Sequence, residues 1–189
     1  LIEYRDGSII DVVRKVRQNF LAARDNRQEA VARALRAAPP AGVSSLVFLS
    51  LNVPGADKNP PGVEGLFLAL HHVLLKALPQ ALEIERAVDA LGPYALYRVH
   101  APGDAVKRAC IGIENARPSH RLADLDVYVE GGHQIGRRAL GLEARSCLLC
   151  PNPAVDCMRL GSHPFQDLLD RVHELLRLSE LERLAAALV

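Results

Sequence analysis

The chain has no tryptophan and only 4% aromatic residues, and it carries almost no net charge, +1 over 189 residues. The near-balance of 23 basic against 22 acidic side chains excludes a broad electrostatic footprint for nucleic acid. No uncharged apolar run of about 18 residues occurs, so no membrane-spanning helix is expected. The opening "LIEYRDGSII" lacks a basic stretch leading into an apolar core, so no secretory signal is expected there. What is present is ordinary globular composition, 49% hydrophobic and 24% charged, enough for a sizeable core. Cysteine is scarce but clustered: three of the four lie in "CLLCPNPAVDCMRLGSH", Cys147 to His163. Clustered cysteines without an export signal point to a reducing compartment, and the cytoplasm is the expectation.

Apolar positions Ile9, Val12, Val13, Val16 and Phe20 repeat at helical spacing within residues 9–37, with Arg24 and Arg27 together on the polar side. "APPAGVSS" breaks that helix. "LVFLSLNV" (46–53) reads as a buried strand, and "PGADKNPPG" as a turn-rich loop. Val63, Leu66, Phe67, Leu70, Val73, Leu74 and Leu78 mark a helix that Pro79 ends. "ALEIERAV" and "YALYRVH" flank "DALGP" as a hairpin, and "DAVKRACIGIENA" is read as a helix. In "LADLDVYVE", Leu125, Val127 and Val129 share one strand face and Asp124, Asp126 and Tyr128 the other. Phe165, Leu168, Leu169, Val172 and Leu176 mark a last helix, and Ser179 with Glu182 reads as a capping box for its continuation.

The middle of the chain is thus strand, helix, strand, strand, helix, strand. That is the order of a ferredoxin-like βαββαβ sandwich in the α+β class. A helix precedes it (1–40), the core occupies 41–140, and a Cys/His helical segment follows (141–189). All 189 residues are expected to form one domain.

Chemistry has two candidate seats. Asp124 and Asp126 point the same way from one strand, and two adjacent carboxylates call for a divalent cation, basic neighbours or a shared proton. Two carboxylates holding Mg²⁺ against a triphosphate is the usual arrangement for phosphoryl and nucleotidyl transfer; a merely solvated strand face is the plain alternative. Near them, Asn52 and Gly55 in "NVPGADK" offer a loop whose N–H groups and Lys58 could meet a phosphate, although it is not a Walker A sequence. Cys147, Cys150, Cys157 and His163 form the second seat. Their Cys-x2-Cys opening and tight spacing suit a tetrahedral, structural Zn²⁺. A redox pair would need a thioredoxin-like βαβ context, which the surrounding sequence lacks, and unmetallated packing is the other alternative. His71-His72 and Cys110 read as packing residues.

"LSLNVPGADK", the pairing of Lys107 with Glu114, "RLADLDVY" and "ARSCLLCPNPAVDCMRLGSH" before an amphipathic helix together resemble the holo-citrate-lyase synthase family. That family is also called apo-citrate-lyase phosphoribosyl-dephospho-CoA transferase, and the resemblance runs from about Ala23 to Leu176. It implies a cytoplasmic nucleotidyltransferase-type enzyme of prosthetic-group attachment. Such an enzyme takes 2′-(5″-triphosphoribosyl)-3′-dephospho-CoA, joins its 5″-phosphate to a serine of the citrate lyase acyl-carrier subunit, and releases pyrophosphate. On that reading Asp124 and Asp126 are catalytic and hold Mg²⁺, while Lys58, Lys107, Arg121, Arg24 and Arg27 meet phosphates. In "RPSHR" the chain departs from the family pattern: Arg117 stands where His is usual and His120 where Gly is usual, while Arg121 is kept. The competing expectations are a non-catalytic, zinc-stapled module that binds a carrier protein, and a related nucleotidyltransferase with another donor.

Overall fold

A central strand with neighbours on both sides must be apolar on both faces, and "SLVFLSL" meets that demand. It is β1 (Ser45–Leu51), buried along its whole length. The computed structural model describes residues 6–37 and 44–186; the break at Pro39, Pro40 and Gly42 and the side chain of Ile9 lie outside the described residues. Before β1 runs the long helix α1 (Asp6–Arg36). After it come α2 (Val63–Ala77), β2 (Ala81–Asp89), β3 (Gly92–Val99), α3 (Gly103–Asn115), β4 (Ala123–Tyr128), α4 (Ala154–Leu160) and α5 (Phe165–Ala186). Among the described residues these make five α-helices and a four-stranded, wholly antiparallel sheet in the order β2-β3-β1-β4.

Alternation along the strands divides the sheet into two faces. Val47, Leu49, Ala95, Tyr97, Leu125 and Val127 point to one face and join residues of α2, α3 and α5 in the main core. Leu46, Phe48, Tyr94 and Leu96 point to the other and meet Ala30, Val31 and Leu35 of α1. The small Ala30 lets the helix approach closely. Arg27 then fastens it to the β2–β3 turn. Its guanidinium donates to both Asp89 carboxylate oxygens at 2.8 and 2.7 Å and to the Gly92 carbonyl at 2.7 Å, and it lies 4.8 Å from the Tyr94 ring centre. Arg27→Ala is expected to cost about 1.5–3 kcal/mol, because the half-buried Asp89 loses charge-assisted bonds. A urea unfolding midpoint unchanged from wild type would show the clamp to be idle.

β4 is an edge strand whose outward backbone groups need partners. Glu114 accepts from the Leu125 N–H at 3.3 Å, and Lys107 donates to the Leu125 carbonyl at 2.5 Å. Both charged side chains are buried behind the strand, at 4% and 6% exposure.

Three sequence expectations change. Val12 and Val13 lie in a helix as expected, but they are 62% exposed, because α1 reaches the sheet only with its later turns. α5 is continuous, so Ser179 caps nothing; it is buried within the helix, and Glu182 instead accepts a bond from the Ser119 hydroxyl at 2.7 Å. β4 ends at Tyr128, so Val129 lies past the strand and Glu130 opens a 3-10 turn. His71 and Cys110 are buried as packing residues, and the His71 ring bonds to the Tyr97 hydroxyl at 2.7 Å.

Candidate functional site

The cysteine stretch folds as a tight hairpin followed by a short helix. Ser146 and Pro153 form an antiparallel bridge, and the Cys147 N–H donates to the Asn152 carbonyl at 2.7 Å. Cys147 and Cys150 sit on this hairpin, Cys157 on α4, and His163 beyond the left-handed Gly161 that ends α4. Three sulfurs and one imidazole nitrogen lie within 4.8 Å of one another. The Sγ atoms of Cys150 and Cys157 are 3.5 Å apart. The His163 Nε2 is buried and has no hydrogen-bond partner. A buried nitrogen without a partner, on a histidine gathered with three sulfurs, fits a metal ion, and the set as a whole could hold one.

This knuckle is fastened to the start of β4. Arg121 donates to the Ser146 and Cys147 carbonyls at 2.8 and 3.2 Å. Arg145 donates to the carbonyls of Arg121 and, at 2.8 Å, Ala123. The residue after Ala123 is the first of the aspartates.

Pairing with β1 places Asp124 opposite Ser50 and Asp126 opposite Phe48, on the α1 side of the sheet. There they line a cleft of about 710 Å³ between sheet and helix, together with Tyr128, Arg24, Arg27 and Gln28. Burial and the neighbouring Asp124 carboxylate push Asp126 up to about 6, against an opposing bond from the Gln134 amide at 2.6 Å. Burial raises Asp124 too, with the Arg145 charge opposing. These carboxylates are costly to ionise where they stand.

The raised value fixes a sign. An acid with a higher pKa folded than unfolded stabilises the fold while protonated, and that contribution is lost as pH rises from about 3.8 through about 6. Asp126→Asn is therefore expected to flatten the fall in stability across that window. Equal slopes for wild type and variant in urea unfolding at pH 4.5 and 7 would contradict this.

The remaining predicted residues divide. Arg24 is exposed on the cleft wall, and Arg27 lines the cleft with its guanidinium held by Asp89. Lys107 is not on that wall, because the Leu125 carbonyl holds its ammonium group. The Lys58 ammonium bonds the Val53 carbonyl at 2.5 Å and lies 5.5 Å from the Phe20 ring centre. Gly55 faces α5: a side chain there would meet Leu169 and Phe165 at 3.4 and 3.5 Å. Asn52 is exposed, and its backbone N–H donates to the Leu122 carbonyl at 2.8 Å. The "NVPGADK" loop faces α5, and with Phe165, Leu169 and His173 it lines a cavity of about 240 Å³. His120 is buried, its ring 2.8 Å from the Ile113 carbonyl, while Arg117 lies 3.8 Å from Glu182. Gln134, Arg137 and Arg145 went unnoticed in the sequence. Only Arg145 carried a signal there, its place in "ARSCLLC".

The family model for apo-citrate lyase phosphoribosyl-dephospho-CoA transferase matches residues 15–178. A curated protein of that name from Escherichia coli O139:H28 (strain E24377A / ETEC) is 34% identical over 161 residues, 83% of this chain and 86% of the relative. Another of that name, from Shigella flexneri serotype 5b (strain 8401), is 33% identical over the same shares. The matched span takes in the α1 wall, the aspartate strand and the Cys/His knuckle. The chain belongs to the apo-citrate lyase phosphoribosyl-dephospho-CoA transferase family.

Proposed function

We propose that this protein transfers the 2′-(5″-phosphoribosyl)-3′-dephospho-CoA group from its triphosphate precursor to a serine of the apo citrate lyase acyl-carrier subunit. The serine oxygen attacks the phosphorus nearest the ribose, the bond to the next phosphate breaks, the serine proton is lost, and pyrophosphate leaves. The family match over residues 15–178 carries this reading.

The aspartate cleft is our choice for the reaction site. Asp124 and Asp126 would hold Mg²⁺, which supplies charge neutralisation for the departing pyrophosphate. Two carboxylates raised by burial in one cleft fit a divalent cation, since a cation removes the cost of ionising them together. Arg24, exposed on the facing wall, is placed to meet the donor phosphates. Arg27 positions that wall.

The knuckle of Cys147, Cys150, Cys157 and His163 is read as a Zn²⁺ site. Four protein ligands leave no open position, so its role is structural. Thiolate ligands of this kind suit the reducing cytoplasm. The strand order β2-β3-β1-β4 with α2 and α3 as crossovers supports a ferredoxin-like core, and we read the whole as one transferase domain.

A coupled pyrophosphate assay tests the activity. Release is expected only with protein, triphosphate donor, Mg²⁺ and apo carrier all present. Release that continues undiminished when the carrier's acceptor serine is replaced by alanine would reject the transferase reading.

A further inference from the structure

We propose that a second cleft, walled by arginines beside the Cys/His knuckle, binds a diphosphate, and that on the transferase reading above this is the diphosphate of the donor's dephospho-CoA moiety. The cleft measures about 430 Å³ and is lined by Arg121, Arg137, Arg145, Asn115, Ser146 and Glu143, among others. Among the described residues, the hydrogen-bond partners of Arg121 and Arg145 are carbonyl oxygens alone. A carbonyl takes a donor but leaves the charge uncompensated. Each of these guanidiniums uses one terminal nitrogen in those bonds, so other N–H groups remain to donate.

Among the described residues no carboxylate is hydrogen-bonded to Arg121 or Arg145. Glu114 is committed to Arg137 and to the Leu125 N–H, and Glu143 is exposed on the rim. Half-buried guanidiniums held in place by backbone are preorganised for bidentate contact with phosphate oxygens. The volume exceeds what one phosphate needs.

The donor's own chemistry calls for two anion sites. It carries a triphosphate on one ribose and a diphosphate between adenosine and pantetheine. The aspartate cleft, needing Mg²⁺, suits the triphosphate, and the arginine cleft, rich in fixed cations, suits the diphosphate. Arg145 joins them, since it lines the arginine cleft while donating to the carbonyl of Ala123, the residue before Asp124, at 2.8 Å.

Hydrogen exchange on the wild-type protein, with inorganic pyrophosphate and no added Mg²⁺, reads the site directly. Amides of residues 142–146 should slow, and dephospho-CoA should produce the same protection. Protection confined to α1 and β4, or none at all, overturns the proposal. So does protection at 142–146 by inorganic triphosphate but not by dephospho-CoA. Arg145→Lys, which keeps the charge but loses the fork, should weaken dephospho-CoA binding by about tenfold or more in calorimetry; binding at wild-type strength by the folded variant also overturns it. The two readings fail separately. Carrier modification without protection at 142–146 removes the cleft and keeps the transferase, whereas protection by dephospho-CoA without carrier modification keeps the cleft and removes the transferase.

Discussion

Asp126→Asn should modify the carrier about 100-fold more slowly than wild type or worse, a barrier increase of roughly 2.7 kcal/mol, while folding normally. The side chain keeps its shape and loses its charge. It stands in the helix–sheet cleft beside Asp124, where burial and that neighbour already resist ionisation. If the pair holds Mg²⁺ against the donor phosphates, one amide in place of a carboxylate weakens the cation's grip where charge develops. The fold should gain slightly at neutral pH, since a costly ionised group is gone. Glu130→Gln is the control: Glu130 is exposed in the 3-10 turn past β4, and its loss should change the rate by less than about threefold. An Asp126→Asn enzyme working at the wild-type rate at limiting Mg²⁺ would reduce the pair to an ordinary polar strand face.

Cys147→Ser should lose the bound metal and lower the thermal unfolding midpoint by about 10 °C or more, since a structural metal site contributes folding free energy directly. Its sulfur is one of four converging ligand atoms, and its carbonyl is the Arg121 anchor that ties the knuckle to β4. The rate per folded molecule should stay within about threefold of wild type at low temperature. Elemental analysis checks the first half: the freshly purified, reduced wild type should carry about one zinc, and the variant much less. Wild type without metal, or a variant as stable as wild type, would contradict the structural role.

The strand reading succeeded where a single face decides the pattern. Leu125 and Val127 enter the core, so Asp124 and Asp126 had to share the other side. The Cys/His set was legible because its ligands are close in sequence and a hairpin with a short helix suffices to gather them. The cleft was not legible. It needs α1 laid across the sheet, and the Arg27–Asp89 clamp that fastens it joins residues 62 apart. Helical periodicity announces an apolar stripe without saying what covers it, and Val12 and Val13, at helical spacing in the sequence, are exposed. Among the cations, residue type alone does not tell backbone bonding from ligand binding. Lys58 gives an N–H to the Val53 carbonyl and Lys107, buried behind β4, gives one to the Leu125 carbonyl, each at 2.5 Å. Edge-strand carbonyls and tight loops recruit lysine for their own hydrogen bonding, and no local sequence pattern separates that use from ligand binding.

Intact-mass spectrometry of the apo citrate lyase acyl-carrier subunit, after incubation with this protein, the triphosphate donor and Mg²⁺, reads the transfer itself. A single mass increment equal to the phosphoribosyl-dephospho-CoA group is expected, lost when the acceptor serine is alanine. A carrier that keeps its mass in the presence of folded, metal-loaded protein would contradict the proposed transfer.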